Sequence, residues 1–191
     1  MSAVQPKHDA RYYSLCCCGG VLSCGTTHTA IAPLDVVKCR RQTNPGIYSS
    51  LWDGLKKVSK IAWNRNGLYA GWQPTCIGYA LQGLFKFGGY EIFKDMYINL
   101  FGSFSAKHKN TIYLCASATA EFFADMFLCP MEATKVRIQT SKPEANFPTK
   151  LGPAIKEITK GEGVKALWKG LVPLWCRQIP YTMVKIGRAH V

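Results

Sequence analysis

Residues 33–40 read PLDVVKCR, and residues 130–137 read PMEATKVR. Both octapeptides follow the pattern Pro-x-acid-x-x-Lys-x-Arg, and the second begins 97 residues after the first. In each case an apolar-rich stretch precedes the proline and a basic linker follows the arginine. Self-similarity of this kind indicates a repeat architecture, in which each repeat is one supersecondary unit. The two octapeptides therefore predict a fold built from two similar units.

The segments downstream of the octapeptides also match each other. Residues 67–74 (GLYAGWQP) parallel residues 163–173 (GVKALWKGLVP), and both segments end in Gly-x-x-Pro. Lys86 and Lys185 each lie 12 residues beyond that final proline. Two units, each about as long as the spacing between the octapeptides, therefore fill the chain. We assign an N-terminal tail at 1–11, repeat one at 12–106 and a truncated repeat two at 107–185.

Each repeat is predicted to contain two long helices with a short amphipathic helix between them. The predicted helices are 14–41, 50–63 and 74–98 in repeat one, and 111–138, 150–160 and 173 onward in repeat two. About 20 helical residues cross the ~30 Å hydrocarbon core of a bilayer. Pro33 and Pro130 remove backbone donors within their helices and are expected to kink them. The predicted fold class is an all-α membrane helical bundle of about four transmembrane helices, the fourth incomplete, plus two short helices parallel to the membrane.

The composition narrows the class of protein. The chain has 191 residues with 24 Lys+Arg against 11 Asp+Glu, and its net charge of +13 favours an anionic partner. Hydrophobic residues make up 48% and charged residues 18%, which argues against disorder. The nine cysteines form no Cys-x-x-Cys pair and no metal-ligand spacing, so we expect buried, reduced thiols and no metal or cofactor. Neither a secretory signal, a transit peptide nor an enzyme motif is recognisable.

The repeated octapeptide resembles the signature of the mitochondrial carrier family. Four further stretches are similar to family members that carry phosphate: GTTH (25–28), QGLFKFGGYE (82–91), AEFFADMFLCPMEATK (120–135) and RQIPYTMVK (177–185). The resemblance implies the carrier fold of three repeats, six transmembrane helices and a central cavity, of which this chain holds about two repeats. It also implies alternating-access transport of inorganic phosphate with a proton, or in exchange for hydroxide, across the mitochondrial inner membrane. The two repeats alone are expected to be inactive.

The resemblance also implies a gate at each side of the membrane. The matrix gate would consist of Pro33, Asp35, Lys38, Pro130, Glu132 and Lys135, and the cytoplasmic gate of Tyr90, Glu91 and Lys94. In the family, an acid of one helix pairs with a base of the next odd-numbered helix, so Asp35 is expected to pair with Lys135. Lys38 and Glu132 are expected to find their partners in a third repeat.

Polar side chains at matching depths form a candidate site for the anion. Gln82 and Lys86 are one helical turn apart in the second long segment, and Arg177 and Gln178 follow Pro173 in the fourth. Lys86 and Arg177 are expected to bind phosphate through their charge, since arginine can bind two phosphate oxygens at once. Additional hydrogen bonds are expected from Gln82, Gln178 and Thr29.

Three titratable groups are candidates for carrying the coupled proton. His28 lies five residues before Pro33, and Asp125 lies five residues before Pro130, one helical turn after Glu121. Ionisable groups at mid-membrane are costly, so they usually face a wet pathway and serve a function. An imidazole titrates near neutrality, and a carboxyl group in a low-dielectric site is able to do the same.

Two other functions stay open at this point. The first is a carrier of the same family that transports another small anion, such as a dicarboxylate. The acids Glu121 and Asp125 opposite His28 nevertheless suit a proton-coupled anion better. The second is a soluble basic helical protein that binds nucleic acid. We favour transport, because the basic residues cluster at segment ends and the aromatic residues lie inside apolar segments. The expected partners are phosphate, a proton and a lipid bilayer, with cardiolipin at the short helices, and no nucleic acid.

The last six residues, 186–191, read IGRAHV and are expected to be foreign to the protein. The repeat offset predicts an aromatic residue and an acid near positions 189 and 190, where the chain has Ala189 and His190. The hexapeptide is also the translation of ATC GGA AGA GCA CAC GTC, which resembles a common sequencing-library adaptor. The genomic sequence across codon 185 tests this expectation.

Overall fold

The computed structural model describes residues 9–44, 46–61, 67–141 and 147–189. Seven α-helices lie in these ranges: α1 Ala10–Thr43, α2 Leu51–Ile61, α3 Trp72–Gly83, α4 Tyr90–Lys107, α5 Lys109–Thr140, α6 Leu151–Glu162 and α7 Leu171–Ala189. A π-helix, Leu84–Gly89, connects α3 to α4, and a 3₁₀-helix, Val164–Trp168, lies between α6 and α7. The described residues contain no β-strand, which confirms the prediction of an all-α fold.

The order of long and short helices agrees with the prediction in both repeats. Helices α1 and α5 contain the predicted segments 14–41 and 111–138 and extend beyond each of them at both ends. Both helices continue without a break through Pro33 and Pro130, and the expected kinks stay a prediction. Helix α7 has 19 residues and runs past the predicted end of repeat two. Parts of three predicted segments lie outside the described residues: 1–8 of the tail, 62–63 of the first short helix, and 190–191.

The second long segment of repeat one is not the single α-helix that the sequence predicts. It is divided into α3, the π-helix and α4, and Gly102 within α4 has a φ of 43°. A positive φ is tolerated at glycine because no Cβ is present to clash. A π-helix is rare, short and frequent at functional sites. This one carries Lys86, a candidate ligand of the anion.

The chain forms two compact units. Unit 1 comprises Met1–Cys24, Ala80–Phe127 and Leu171–Val191, and unit 2 comprises Gly25–Tyr79 and Leu128–Gly170. Each unit takes residues from both sequence repeats. The repeats therefore do not correspond to separate compact bodies, and the candidate site residues are divided between the two units.

Unit 2 contains a hydrophobic core that holds the two short helices. Its buried residues come from four helices and the loops beside them: Val36, Val37, Tyr48, Val58, Leu68, Ala70, Ile138 and Ala154. Val58 of α2 and Ala154 of α6 are completely buried, while the opposite faces of these short helices are exposed. Burial of a valine or isoleucine side chain contributes roughly 1.5–3 kcal/mol. This contribution explains why such short amphipathic helices are stable here.

Unit 1 is packed through small residues and aromatic pairs. Gly20 of α1 and Gly83 of α3 are in backbone contact, since a Cβ atom built on Gly83 lies 2.2 Å from the Gly20 carbonyl oxygen. The rings of Phe85 and Phe127 stack with centroids 4.7 Å apart. Small residues that let helices approach closely are typical of membrane helix interfaces, where burial from water contributes little.

Two described helices, α1 and α5, are long and apolar enough to cross a membrane. These are the first and third of the four predicted spans. Spanning by the segment of α3, the π-helix and α4, and by α7, stays a prediction. The orientation of α2 and α6 parallel to a membrane also stays a prediction.

Candidate functional site

The centre of the site in unit 1 is an ion pair between Lys86 and Glu121. The Lys86 Nζ lies 3.0 Å from Oε2 and 3.1 Å from Oε1 of Glu121. The Glu121 carboxylate has no solvent exposure, whereas 22% of the Lys86 side chain is exposed. A buried carboxylate without a partner is very costly, so Lys86 stabilises its charge.

Two neutral polar groups complete this cluster. The Gln82 Nε2 donates a hydrogen bond of 3.3 Å to Glu121 Oε1, and Lys86 Nζ donates one of 3.1 Å to Thr182 Oγ1. Gln82 and Thr182 are both buried. Three helical segments therefore meet at the Lys86 ammonium: the π-helix, α5 and α7. The predicted neighbours Gln82 and Lys86 are brought together as the sequence indicates.

Three further candidate residues of unit 1 lie on α7 and α5. Arg177 is exposed and forms no ion pair with the part of the chain that the structure describes. Gln178, the next residue of α7, is half-buried. Asp125 is completely buried on α5, one turn after Glu121. The roles expected for these three residues stay predictions.

In unit 2, His28 stacks on Tyr79. The two rings are nearly parallel, with an interplanar angle of 5° and centroids 3.7 Å apart. Both side chains are half-buried. The hydroxyl of the neighbouring Thr29 donates a hydrogen bond of 2.7 Å to the Gly25 carbonyl of its own helix. That bond leaves the Thr29 oxygen available as an acceptor, and a donor role toward phosphate would require the bond to break.

The predicted pair between Asp35 and Lys135 is present in unit 2. The Lys135 Nζ lies 2.7 Å from Asp35 Oδ2 and 5.2 Å from the centre of the Tyr79 ring. Lys135 is buried, with 5% of the residue exposed. The structure thus confirms the pairing, whereas the gating role stays a prediction. Lys38 is exposed, and neither it nor Glu132 forms an ion pair within residues 9–44, 46–61, 67–141 and 147–189.

The residues expected at the cytoplasmic gate interact within α4. Glu91 and Lys94 form an ion pair one turn apart, with both side chains mostly buried. The Lys94 ammonium also lies 5.7 Å from the centre of the Tyr90 ring. A cation near an aromatic ring is attracted by its quadrupole. The three residues thus form one local cluster, and its role as a gate stays a prediction.

The model of the family "Mitochondrial carrier protein" matches residues 9–101 and 106–188. The chain belongs to the mitochondrial carrier family. The two matches correspond to the two sequence repeats. With the relatives described next, membership places the chain in the mitochondrial inner membrane, as the sequence predicts.

Several members of the family are about half identical to this chain. Some of them are named as phosphate carriers, the type of carrier that the sequence predicts. Solute carrier family 25 member 3 of Bos taurus is 54% identical over 180 residues, which covers 94% of this chain and 49% of the relative. The probable mitochondrial phosphate carrier protein of Schizosaccharomyces pombe is 52% identical over 181 residues, covering 94% and 57%. The mitochondrial phosphate carrier protein of Caenorhabditis elegans is 54% identical over 180 residues, covering 94% and 52%. The chain spans about half the length of these relatives.

Sequence reasoning missed Thr182 as a contact of Lys86. In the fourth segment the sequence singles out Arg177 and Gln178, and the structure shows Arg177 to be exposed. Another face of the same helix buries Leu174 and Thr182, which are two helical turns apart. A threonine on the apolar side of a helix was the available signal, because a buried hydroxyl needs a hydrogen-bond partner.

Proposed function

We propose that this chain is part of a carrier that moves inorganic phosphate together with a proton across the mitochondrial inner membrane. Two observations support the proposal: the names of relatives that are about half identical, and the buried Lys86–Glu121 pair beside polar donors. Since the chain spans about half of those relatives, transport is assigned to the complete gene product. The segment alone is expected to be inactive.

The charge balance of the pair accounts for coupling between phosphate and proton. Lys86 and Glu121 together carry no net charge, so the empty site is electrically neutral. If dihydrogen phosphate binds Lys86, one ammonium faces two anions, and a proton bound by the Glu121 carboxylate removes the excess negative charge. With phosphate and proton both bound, the site is neutral again. Binding of either ion alone leaves a net charge in a low-dielectric site, which is unfavourable.

The remaining candidate residues receive supporting roles in this mechanism. Gln82 orients the Glu121 carboxylate and Thr182 orients the Lys86 ammonium. Arg177, Gln178 and Thr29 are proposed to contact phosphate in other steps of transport. His28 and Asp125 are proposed to pass the proton onward. In alternating access, the Asp35–Lys135 pair closes the matrix side and the cluster of Tyr90, Glu91 and Lys94 belongs to the cytoplasmic side. Cardiolipin is proposed to bind at α2 and α6. These assignments describe a transporter and not an enzyme.

Transport by the reconstituted complete gene product tests the proposal. We expect liposomes to take up labelled phosphate faster when a pH gradient supplies protons. Lys86→Ala together with Arg177→Ala should lower that uptake at least about tenfold, since the double variant removes both cations and about 1.4 kcal/mol corresponds to each factor of ten. Lys109→Ala, at an exposed lysine that begins α5, is the matched control and should leave uptake unchanged.

Two results would contradict the proposal. One is phosphate uptake that ignores the pH gradient. The other is uptake that survives loss of both Lys86 and Arg177. Competition by a dicarboxylate such as malate, with no competition by phosphate, would instead favour the alternative of a carrier for another small anion.

A further inference from the structure

The Tyr79 ring of unit 2 contacts a candidate proton carrier and a candidate gate residue at the same time. His28 stacks on it with centroids 3.7 Å apart, and the Lys135 ammonium lies 5.2 Å from its centre. Lys135 in turn is bonded to Asp35 at 2.7 Å. The four residues thus form a continuous chain of contacts from α1 through α3 and α5 back to α1.

We propose that Tyr79 is a positioning residue that couples the charge of His28 to the Asp35–Lys135 ion pair. The proposal rests on the proposed proton-coupled function and adds a route by which proton binding reaches the matrix gate. Tyr79 itself need not bind phosphate or exchange a proton. Its contribution is the aromatic surface that holds the imidazole and the ammonium in fixed positions.

Electrostatics gives the direction of the coupling. In the described part of unit 2, the charged and titratable groups near this chain of contacts lie on three helices: His28, Asp35, Lys38 and Cys39 on α1, Tyr79 on α3, and Glu132 and Lys135 on α5. With a neutral imidazole their charges sum to zero. An imidazolium adds one positive charge, which repels the Lys135 ammonium and attracts the Asp35 carboxylate. Both effects weaken the ion pair, so proton binding at His28 favours an open matrix gate.

The geometry explains why an aromatic residue is suited to this position. A tyrosine ring attracts cations through its quadrupole, and it also stacks on a neutral imidazole. When His28 becomes charged, two cations share one ring. An aliphatic residue of similar size could fill the volume, but it would bind neither cation. The coupling should therefore depend on the ring and not on the phenol hydroxyl.

Phosphate uptake as a function of pH, measured on the reconstituted complete gene product, tests the coupling. Tyr79→Phe should keep the wild-type pH profile because it keeps the ring. Tyr79→Met should reduce the pH-dependent part of uptake by about fivefold, the size expected for loss of a cation–π contact, with a smaller effect on phosphate/phosphate exchange at fixed pH. Tyr69→Met is the matched control, because Tyr69 is exposed and should not affect the profile.

Different results of these uptake measurements would contradict the coupling through Tyr79 and the proposed phosphate transport. A wild-type pH profile in Tyr79→Met, or equal losses in Tyr79→Phe and Tyr79→Met, would overturn the coupling. Absence of phosphate uptake by the wild-type protein would instead refute the function.

A double-mutant cycle on thermal unfolding then tests the coupling without transport and without altering Tyr79. We expect His28→Gln and Lys135→Met to change the unfolding midpoint non-additively, and the non-additivity to grow as the pH is lowered; additive changes at every pH would overturn the proposal.

Discussion

Glu121 is a carboxylate with no solvent exposure, and it forms an ion pair with the Lys86 ammonium in unit 1. The sequence predicted a functional acid here because a glutamate in an apolar segment is costly unless it is paired. It did not predict the partner, since contacts between distant segments depend on how the helices are rotated. The pairing makes Glu121 the residue whose protonation is most directly linked to the charge on Lys86.

Replacement of Glu121 by glutamine should separate phosphate binding from proton movement. The amide keeps the size of the side chain and its ability to accept hydrogen bonds from Gln82 and Lys86, but it cannot take up a proton. We expect the acceleration of phosphate uptake by a pH gradient to fall at least about tenfold, equivalent to about 1.4 kcal/mol, while phosphate/phosphate exchange falls much less. Reconstituted uptake and exchange assays measure both quantities.

The control for this experiment is Glu157→Gln, at an exposed glutamate of α6, which should change neither rate. Equal losses of uptake and exchange in Glu121→Gln would show that the carboxylate has a structural role only.

At the scale of elements, the packing of α1 against α3 depends on two glycines. A Cβ atom on Gly83 would lie 2.2 Å from the Gly20 oxygen and 2.7 Å from its carbonyl carbon, and backbone atoms cannot move aside cheaply. We expect Gly83→Ala to destabilise the protein by about 1–3 kcal/mol and to lower the midpoint of thermal unfolding by roughly 2–12 °C. Gly19→Ala is the control, because a Cβ there meets no atom within 4 Å.

In the control the alanine should be neutral or stabilising by up to about 1 kcal/mol, since alanine is the better helix former. Thermal unfolding of the purified protein in detergent measures both variants side by side. Equal midpoints for Gly83→Ala and Gly19→Ala would contradict the close backbone contact.

The helices differ in how far the sequence could predict them. The resemblance to the carrier family implied the Asp35–Lys135 pair. The repeats predicted α1, α5 and the short helices, because the same pattern occurs twice at corresponding positions. They did not predict the π-helix that carries Lys86. Its local sequence, LFKFGG, is equally compatible with an α-helix, and the extra residue in the turn shows no signal in periodicity. The stacking of His28 on Tyr79 was likewise inaccessible, since it depends on the rotation of α1 and α3.

At the scale of the whole molecule, exposed lysines of the short helix α2 contribute to the net charge of +13. Trp52, Lys56 and Lys60 recur every four residues, so they share one helix face, and all three are exposed, Trp52 to 75%. Lys57 is engaged instead by Asp53 at 2.8 Å, and hydrogen bonds from Lys57 and Ser49 hold the pKa of the Asp53 carboxyl below its ordinary value. Exposed lysines beside an exposed tryptophan are typical of a surface that binds anionic lipid.

We therefore expect cardiolipin to raise the midpoint of thermal unfolding of the purified protein, whereas phosphatidylcholine should not. Each lysine near an anionic membrane surface contributes about 1 kcal/mol, so Lys56→Gln with Lys60→Gln should weaken cardiolipin binding by roughly 30-fold. High salt should reduce the stabilisation of the wild-type protein, because exposed charges are screened within about 10 Å at 0.1 M ionic strength.

The control is Lys109→Gln, at an exposed lysine far from α2 in the sequence. It removes one positive charge, as each of the α2 substitutions does, and it should have no effect on cardiolipin binding. If Lys109→Gln weakened binding as much per lysine as the α2 variants, the attraction would come from the total charge of the molecule and not from this helix face.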